Sequence, residues 1–176
     1  TMQREASGKL GFSPEHTMRI AQTLYEQALI TYMRTDSVIM SKEGLEEVRK
    51  AISSKYGEKY LSSETRIYKT KSKQAQEGHE AIRPTNLSKF PEELSLPGDE
   101  GRLYGLIWSR AMASQMSSAD LSQTEVIISA KEDKITFKAT GSQVVFPGYM
   151  EVYQDNGDQK EGKEEKAERE GARPRQ

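Results

Sequence analysis

The chain has 176 residues, of which 34% are hydrophobic and 30% charged. This is a polar composition with room for one domain, or one domain and part of a second. No apolar run approaches the roughly 20 residues that span a bilayer, so we expect neither a membrane span nor a secretory signal. The absence of cysteine excludes disulfides and thiolate metal sites, and two histidines, His16 and His79, are too few for a histidine-rich metal centre.

The charge is nearly balanced overall, with a net value of -1. Residues 1–119 carry 17 basic and 15 acidic side chains, a balance of +2, whereas residues 120–176 carry 9 and 12, a balance of -3. Four cations and no anion fall within residues 66–73. A nucleic-acid contact is therefore expected on the first part of the chain, although the charge alone favours a solvated, mobile loop for residues 66–73.

The first clear helix signal covers residues 13–29. Ser13 is a good N-cap, and Pro14 follows at the first helical position. Helical spacing predicts one buried face, made by Met18, Ala21, Leu24, Tyr25 and Ala28. The β-branched Ile30 and Thr31 disfavour continuation, which places Tyr32 in an extended turn or short strand.

Three further helices and their connections are predicted from the same signals. One begins near Ser41 and runs to about Lys55, with Leu45, Val48 and Ile52 as its buried stripe. Residues 57–73 are predicted as loop, and a short helix is predicted over 74–82, ended by Pro84. Residues 86–98 connect to a helix from about Asp99 to Met116.

The pattern changes to alternating apolar and polar residues after Asp120. Strands are predicted over 125–130 and 135–140, joined by a turn at 131–134, with a third strand made from 143–146 and 150–153. So few strands must pack on the helices or belong to a sheet completed elsewhere. From residue 154 the chain is predicted to be disordered. The predicted fold class is mainly α, with a C-terminal antiparallel β segment.

Residues 29–37, Leu-Ile-Thr-Tyr-Met-Arg-Thr-Asp-Ser, place a phenol two positions from a guanidinium. In an extended segment Tyr32 and Arg34 share a face, and the planar guanidinium can bind a phosphate with two hydrogen bonds. A tyrosine is a weak nucleophile near neutral pH unless its oxyanion is stabilised. The pattern indicates covalent chemistry on a phosphodiester, but by itself it is more typical of a tyrosine packed in the core and an arginine paired with Asp36 or a surface carboxylate.

A second cluster spans residues 78–85, Gly-His-Glu-Ala-Ile-Arg-Pro-Thr. It sets His79, Glu80 and Arg83 within five residues, a combination that can hold a phosphate oxygen or move a proton. The plainer interpretation is a capped helix end with surface charges.

Together, and in this order, the two motifs closely resemble those of the type IA DNA topoisomerases. Residues 10–13, 18–26 and 106–108 are also similar to that family, and the likeness covers about residues 1–153. The resemblance implies a helical domain with the catalytic tyrosine over residues 1–119 and part of a β-rich arch domain over 120–153. Residues 154–176 would form a disordered tail. It also implies a hinge near residues 117–122, which opens a gate for DNA.

Family resemblance implies that Tyr32 attacks one DNA strand and keeps its 5′-phosphate as a phosphotyrosine ester. Strand passage and resealing then relax negative supercoils without a nucleotide triphosphate, consistent with the absence of a Walker-type loop. Arg34 would stabilise the transition state, and His79 would hydrogen-bond the DNA phosphate. Further residues match positions in the active-site and DNA-binding region: Gln22, Glu26, Thr31, Thr35, Asp36 and Arg83.

With Met33 between Tyr32 and Arg34, the motif resembles the Tyr-Met-Arg form of the bacterial topoisomerase I branch. That resemblance implies a monomer that acts on single-stranded DNA in the nucleoid-associated cytoplasm. The family binds Mg²⁺ through a Toprim domain that nothing here matches, and the acidic residues 155–158 lack its context. The chain therefore reads as an excised piece that is inactive alone. The alternative is a non-catalytic helical DNA-binding module, with residues 66–73 beside a helix and Tyr32 buried.

Overall fold

The computed structural model describes residues 1–69, 79–129 and 136–153. Its α-helices and strands, in chain order, are α1 (Met2–Leu10), α2 (Pro14–Glu26), α3 (Lys42–Tyr56), α4 (Gly98–Ala113), β1 (Asp120–Ser129) and β2 (Thr136–Phe146). Short 3-10 helices occupy Glu58–Tyr60, Pro91–Glu93 and Gly148–Glu151. The predicted class, mainly α with a C-terminal antiparallel β segment, is confirmed. None of the helices in these ranges is long and apolar enough to cross a bilayer.

Helices α2 and α3 begin where their serine caps predict. The Ser13 hydroxyl accepts a hydrogen bond from the His16 backbone at 3.1 Å, and the Ser41 hydroxyl accepts one from the Gly44 backbone at 3.1 Å. Helix α2 ends three residues earlier than predicted, because Ala28 takes a left-handed φ of 56°. The predicted buried face of α2 is wrong for Tyr25, which is 41% exposed, and for Ala28, which is exposed and lies beyond the end of the helix.

Helix α1 was not predicted, because its sequence carries no continuous apolar stripe. Its buried residues are Glu5 and Ala6, one of them charged. Gly11 ends the helix with a φ of 73°, and the backbone N–H groups of Gly11 and Phe12 donate to the Ser7 and Ala6 carbonyls.

Helix α4 lies at the centre of the packing and contacts α1, α2 and α3. Its buried side chains are Leu103, Tyr104, Ile107, Trp108, Ala111 and Met112. Against them pack Leu24 from α2, Val48 and Ile52 from α3, and Leu87 from the following connection. Removing this apolar surface from water is the main force that assembles the helices. Burial, with the nearby Glu47 charge, raises the pKa of Tyr104 to about 12.

The short helix predicted over 74–82 is wrong for residues 79–82, and residues 74–78 lie outside the described ranges. The backbone there bonds to other segments instead of to itself. The Ala81 N–H donates to the Ile39 carbonyl at 2.8 Å, and the Arg83 carbonyl accepts from the Thr31 N–H at 2.9 Å.

Strands β1 and β2 form an antiparallel hairpin with Asp120 opposite Phe146 and Ser129 opposite Thr136. Both are longer than predicted. The predicted third strand is wrong: residues 143–146 continue β2, and residues 148–151 form a 3-10 helix. The predicted turn at 131–134 lies outside the described ranges, as does the tail from residue 154. Every residue of the two strands is exposed except Phe146, which is half-buried.

The hairpin joins the helices at a narrow base. The Tyr60 and Phe146 rings are 4.9 Å apart, and the Ser117 backbone donates to the Tyr60 carbonyl and accepts from the Tyr149 N–H at 2.7 and 2.9 Å. At this base the segment after β2 passes close to residues 117–118, and Gly148 lies at this crossing with a φ of 51°. A Cβ on Gly148 would lie 2.3 Å from the Ser118 carbonyl oxygen. Only glycine fits, because the position combines a left-handed backbone with direct backbone contact.

Candidate active site

The turn after α2 delivers Tyr32 to the surface. The Ala28 N–H donates to the Tyr25 carbonyl at 2.8 Å, and the Leu29 N–H donates to the Leu24 carbonyl at 2.9 Å. With Ala28 left-handed, the chain reverses within a few residues and runs back along the end of the helix. The reversal places Tyr32 beside Tyr25, which lies in the last turn of α2.

A short antiparallel bridge between Ile30 and Pro84 joins the two sequence motifs. The Thr31 hydroxyl donates to the Ala81 carbonyl at 2.8 Å and accepts from the Arg83 N–H at 2.9 Å. The Thr85 N–H donates to the Leu29 carbonyl at 3.0 Å. These bonds hold segments that are some fifty residues apart in the sequence, which brings Tyr32 and His79 together.

Tyr32 stands between two other rings. Its centroid is 5.4 Å from that of Tyr25, nearly edge-on at 68°, and 5.7 Å from that of His79, tilted by 31°. Aromatic pairs at such separations contribute about 0.5–1.5 kcal/mol each. The side chain remains 38% exposed, while the next residue, Met33, is buried and anchors the backbone. The phenol is thus accessible and also constrained.

Glu80 and Arg83 hold the second motif against α3. Arg83 donates to both carboxylate oxygens of Glu80, at 2.6 and 3.2 Å, and the Ser41 N–H donates to Glu80 at 2.9 Å. Burial raises the pKa of Glu80, but these hydrogen bonds outweigh it and hold that pKa below its ordinary value. Gly44 makes room for the guanidinium, since a Cβ there would lie 2.8 Å from Arg83 Nε.

A cleft of about 550 Å³ opens next to the loop that carries Tyr32; Met33 lines it, whereas Tyr32 itself does not. Four of the predicted site residues line it: Arg34, Thr35, Asp36 and His79. Arg34 is exposed and forms no hydrogen bond or ion pair with any residue of the described ranges. Its charge is available to an anion that enters the cleft.

The other predicted residues, Tyr32 among them, lie outside the lining of the cleft. Gln22 and Glu26 lie one turn apart on α2, and the Gln22 amide donates to the Glu26 carboxylate at 2.7 Å. The Thr31 hydroxyl and the Arg83 guanidinium are bonded to protein partners. The contacts of Thr31 and Arg83 hold the loop that carries Tyr32.

Sequence reasoning missed the contact between Tyr25 and Tyr32, because it assigned Tyr25 to the buried face of a longer helix. The available signal was the position of Tyr25 in the last turn, just before a polar Glu-Gln pair. An earlier helix end would have left this ring on the surface.

Metal binding finds little support in this part of the chain. Across residues 1–69, 79–129 and 136–153, no three His, Asp or Glu side chains gather closely enough to hold an ion. The residues present do not fit a Mg²⁺ site, and binding of Mg²⁺ by a Toprim domain stays a prediction.

An exposed tyrosine, an imidazole in ring contact with it and a guanidinium that has no partner among the described residues together form a site suited to phosphoryl transfer on a helical scaffold. A family model described as DNA topoisomerase matches residues 1–173, so the chain belongs to that family. This match, with the relatives described next, confirms the resemblance to the bacterial type IA enzymes and to their topoisomerase I branch.

The chain is similar to proteins named DNA topoisomerase 1. It is 46% identical over 171 residues to that of Zymomonas mobilis, covering 95% of this chain and 14% of the relative. It is 48% identical over 165 residues to that of Campylobacter jejuni, covering 88% and 23%. The structure of full-length topoisomerase I from Thermotoga maritima matches with a TM-score of 0.73 at 40% identity, covering 88% and 26%. The chain thus spans about a quarter or less of these relatives.

Proposed function

We propose that this chain is the tyrosine-bearing part of an ATP-independent type IA DNA topoisomerase that relaxes negative supercoils. The observation that carries the proposal is the exposed Tyr32 phenol, which contacts the His79 ring beside the cleft that also presents Arg34. Membership of the DNA topoisomerase family supports the same conclusion.

In the proposed reaction, Tyr32 Oη attacks the phosphorus of a backbone phosphate and loses its proton. The bond from phosphorus to the 3′-oxygen breaks, and that oxygen leaves as a hydroxyl after taking up a proton. The 5′-phosphate stays on Tyr32. After strand passage the 3′-hydroxyl attacks the same phosphorus and the phenol leaves, so the bond energy is retained and no nucleotide is consumed.

Arg34 and His79 act on the phosphate in this proposal. The Arg34 guanidinium binds the non-bridging oxygens, where negative charge increases in the transition state. The His79 imidazole, whose ring packs beside Tyr32, hydrogen-bonds the DNA phosphate.

Thr35 and Asp36 line the cleft and are proposed to contact the DNA directly. Gln22, Glu26, Thr31 and Arg83 are proposed to belong to the same region of DNA binding. For Thr31 and Arg83 the observed bonds to the protein favour positioning of the tyrosine loop.

The remaining machinery is proposed to lie on other parts of a full-length enzyme. Mg²⁺ would be bound there by a Toprim domain. Residues 1–119 would form the tyrosine domain, 120–153 part of the arch domain and 154–176 a disordered tail, with the hinge near 117–122. We propose that the whole enzyme acts as a monomer on single-stranded segments of negatively supercoiled DNA, in the nucleoid-associated bacterial cytoplasm.

The decisive experiment is covalent trapping on single-stranded DNA by a full-length topoisomerase that contains this segment. Tyr32→Phe is expected to abolish the adduct, because no phenolic oxygen remains at that position. Tyr68→Phe, which removes the hydroxyl of another exposed tyrosine, is the matched control and should leave the adduct intact. An adduct that survives Tyr32→Phe, or that maps to another residue, contradicts the proposal.

The 176-residue chain alone is proposed to be inactive on DNA, since it supplies only the nucleophile and part of the cleft. Incubation with supercoiled plasmid and Mg²⁺ should leave the plasmid unnicked. Efficient Mg²⁺-dependent nicking would show that the chain carries a complete site.

A non-catalytic DNA-binding module is the weaker candidate. It requires a buried Tyr32, whereas the side chain is 38% exposed. The Arg66 guanidinium, at the start of the basic stretch, donates to the Ser118 hydroxyl at 3.2 Å, and residues 70–78 lie outside the described ranges.

A further inference from the structure

Tyr25 has no part in the proposed reaction, yet its ring is in contact with the nucleophile. The side chain is 41% exposed at the end of α2, where an aromatic ring gains little from burial. Its hydroxyl forms no hydrogen bond with any described residue. The ring makes a nearly edge-on contact with Tyr32, at 5.4 Å and 68°.

The two rings beside Tyr32 are supported differently. Tyr25 projects from a helix whose adjacent residue, Leu24, is fully buried in the core. His79 belongs to a separate segment and is itself proposed to bind phosphate. Tyr25 is therefore the neighbour whose position does not depend on DNA.

We propose that Tyr25 is a positioning residue for the Tyr32 nucleophile. Its ring blocks one side of the Tyr32 side chain, which limits the orientations open to the phenol before DNA binds. This inference rests on the proposed function, because it concerns the attack by Tyr32. Displacing a nucleophile by about 1 Å can cost up to about 100-fold in rate, so one ring contact at this point is sufficient to matter.

The test measures single-turnover cleavage of a single-stranded oligonucleotide by a full-length topoisomerase containing this segment. Tyr25→Ala is expected to slow adduct formation at saturating DNA about tenfold, with the KM for DNA changed by less than about twofold. Tyr25→Phe keeps the ring and should cleave at the wild-type rate. Thr23→Ala, on the same helix with a hydroxyl that donates to the Arg19 carbonyl at 3.3 Å, is the matched control and should be unaffected.

Several results would overturn the inference. A normal rate for Tyr25→Ala removes the positioning role, and a rise in KM alone makes Tyr25 a DNA contact instead. If Tyr25→Phe is as slow as Tyr25→Ala, the hydroxyl and not the ring is what matters. If Tyr25→Ala lowers the thermal unfolding temperature, Tyr25→Gln replaces it, since glutamine is a good helix former that supplies no ring. A wild-type rate for that variant also contradicts the proposal.

Mapping the wild-type adduct separates this inference from the proposed function. An adduct on Tyr32 together with normal cleavage by Tyr25→Ala refutes only the role of Tyr25. If the wild-type enzyme forms no adduct on Tyr32, both proposals fail.

Discussion

The helices and the β hairpin are stabilised in opposite ways. Residues 1–69, 79–119 and 147–153, called here the helical body, enclose a continuous apolar core around α4. Strands β1 and β2, called here the ribbon, carry apolar side chains that are exposed, among them Val126, Ile127, Ile128, Phe137 and Val145. The body has the buried core that a folded domain needs, whereas the ribbon is held by its backbone ladder and its base.

This contrast bears on what the ribbon is for. Two-stranded ribbons are marginal in water, and a cluster of exposed apolar residues on one is typical of a surface that another segment covers. The proposed arch domain, in which further strands come from elsewhere in a full-length protein, accounts for this exposure.

Matched substitutions in the two regions should differ most. Ile52 is fully buried in α3 and Ile127 is 61% exposed in β1. Ile52→Ala should lower the free energy of unfolding of the chain by about 2–5 kcal/mol, because it leaves a cavity, whereas Ile127→Ala should cost less than about 1 kcal/mol. Denaturant unfolding followed by circular dichroism measures both. Equal losses would mean that the ribbon packs against a core of its own.

Gly148→Ala should separate the ribbon from the body. The new Cβ would meet the Ser118 carbonyl oxygen at 2.3 Å with the backbone at a φ of 51°, so the crossing has to open. We expect a loss of about 2–3 kcal/mol in the free energy of unfolding, with faster hydrogen exchange at the Tyr149 N–H. Gly105→Ala in α4, where an added Cβ meets nothing within 4 Å, is the control and should be tolerated. An unchanged exchange rate would show that the base tolerates a wider crossing.

Glu5 links the body to the chain that returns from the ribbon. Tyr153 donates to its carboxylate at 2.6 Å, and Arg110 and Lys9 form ion pairs with it at 3.4 Å. Burial raises the pKa of Glu5, but these partners outweigh it and hold that pKa below its ordinary value of 4.5. The stabilisation is therefore complete above about pH 4.5 and is lost as the pH falls through the lowered value.

Glu5→Gln should destabilise the chain at pH 7 by about 1–2 kcal/mol, and its difference from wild type should shrink as the pH falls below 4. Urea midpoints measured at several pH values give the comparison. Glu46→Gln, at an exposed position on α3, is the control and should follow the wild-type pH profile. A difference that grows on acidification would contradict the lowered pKa.

Ala28→Gly should have the smallest effect, and a stabilising one. Alanine at a φ of 56° carries a steric cost of about 1 kcal/mol that glycine avoids, offset in part by the greater entropy of glycine in the unfolded chain. We expect a gain of about 0.5 kcal/mol in thermal unfolding experiments, and Ala28→Val should be destabilising. A destabilised glycine variant would mean that Ala28 carries no steric strain in the left-handed turn before the Ile30–Pro84 bridge.

Much of the body could be predicted from local signals. Helices α2, α3 and α4 follow from their periodicity, and the first two also from serine caps whose physics is local. Helix α1 could not be predicted in this way, because its buried Glu5 is stabilised by Tyr153, 148 residues away. The strand lengths were underestimated, since backbone pairing extends through polar residues such as Gln143 that break the apolar alternation.

The candidate site was predictable in its residues but not in its arrangement. Tyr32, Arg34 and His79 stand out because of their motifs. Their assembly depends on the pairing of Ile30 with Pro84, which periodicity does not reveal. The exposure of Tyr25 depends on the left-handed backbone of Ala28. An alanine in the sequence does not predict that conformation, because it is typical of glycine.

The narrow base of the ribbon gives it the mechanics of a lever. With 11 residues in β2 and about 3.3 Å per residue, the far end stands about 35 Å from the crossing at Gly148. The segment that enters β1 and the segment that leaves β2 lie side by side at this crossing. A rotation of about 10° there moves the far end of the ribbon by about 6 Å. The contacts of Ser117 with Tyr60 and Tyr149 would shift by only a fraction of an ångström in the same rotation. Small adjustments at one fulcrum thus become large displacements at the tip.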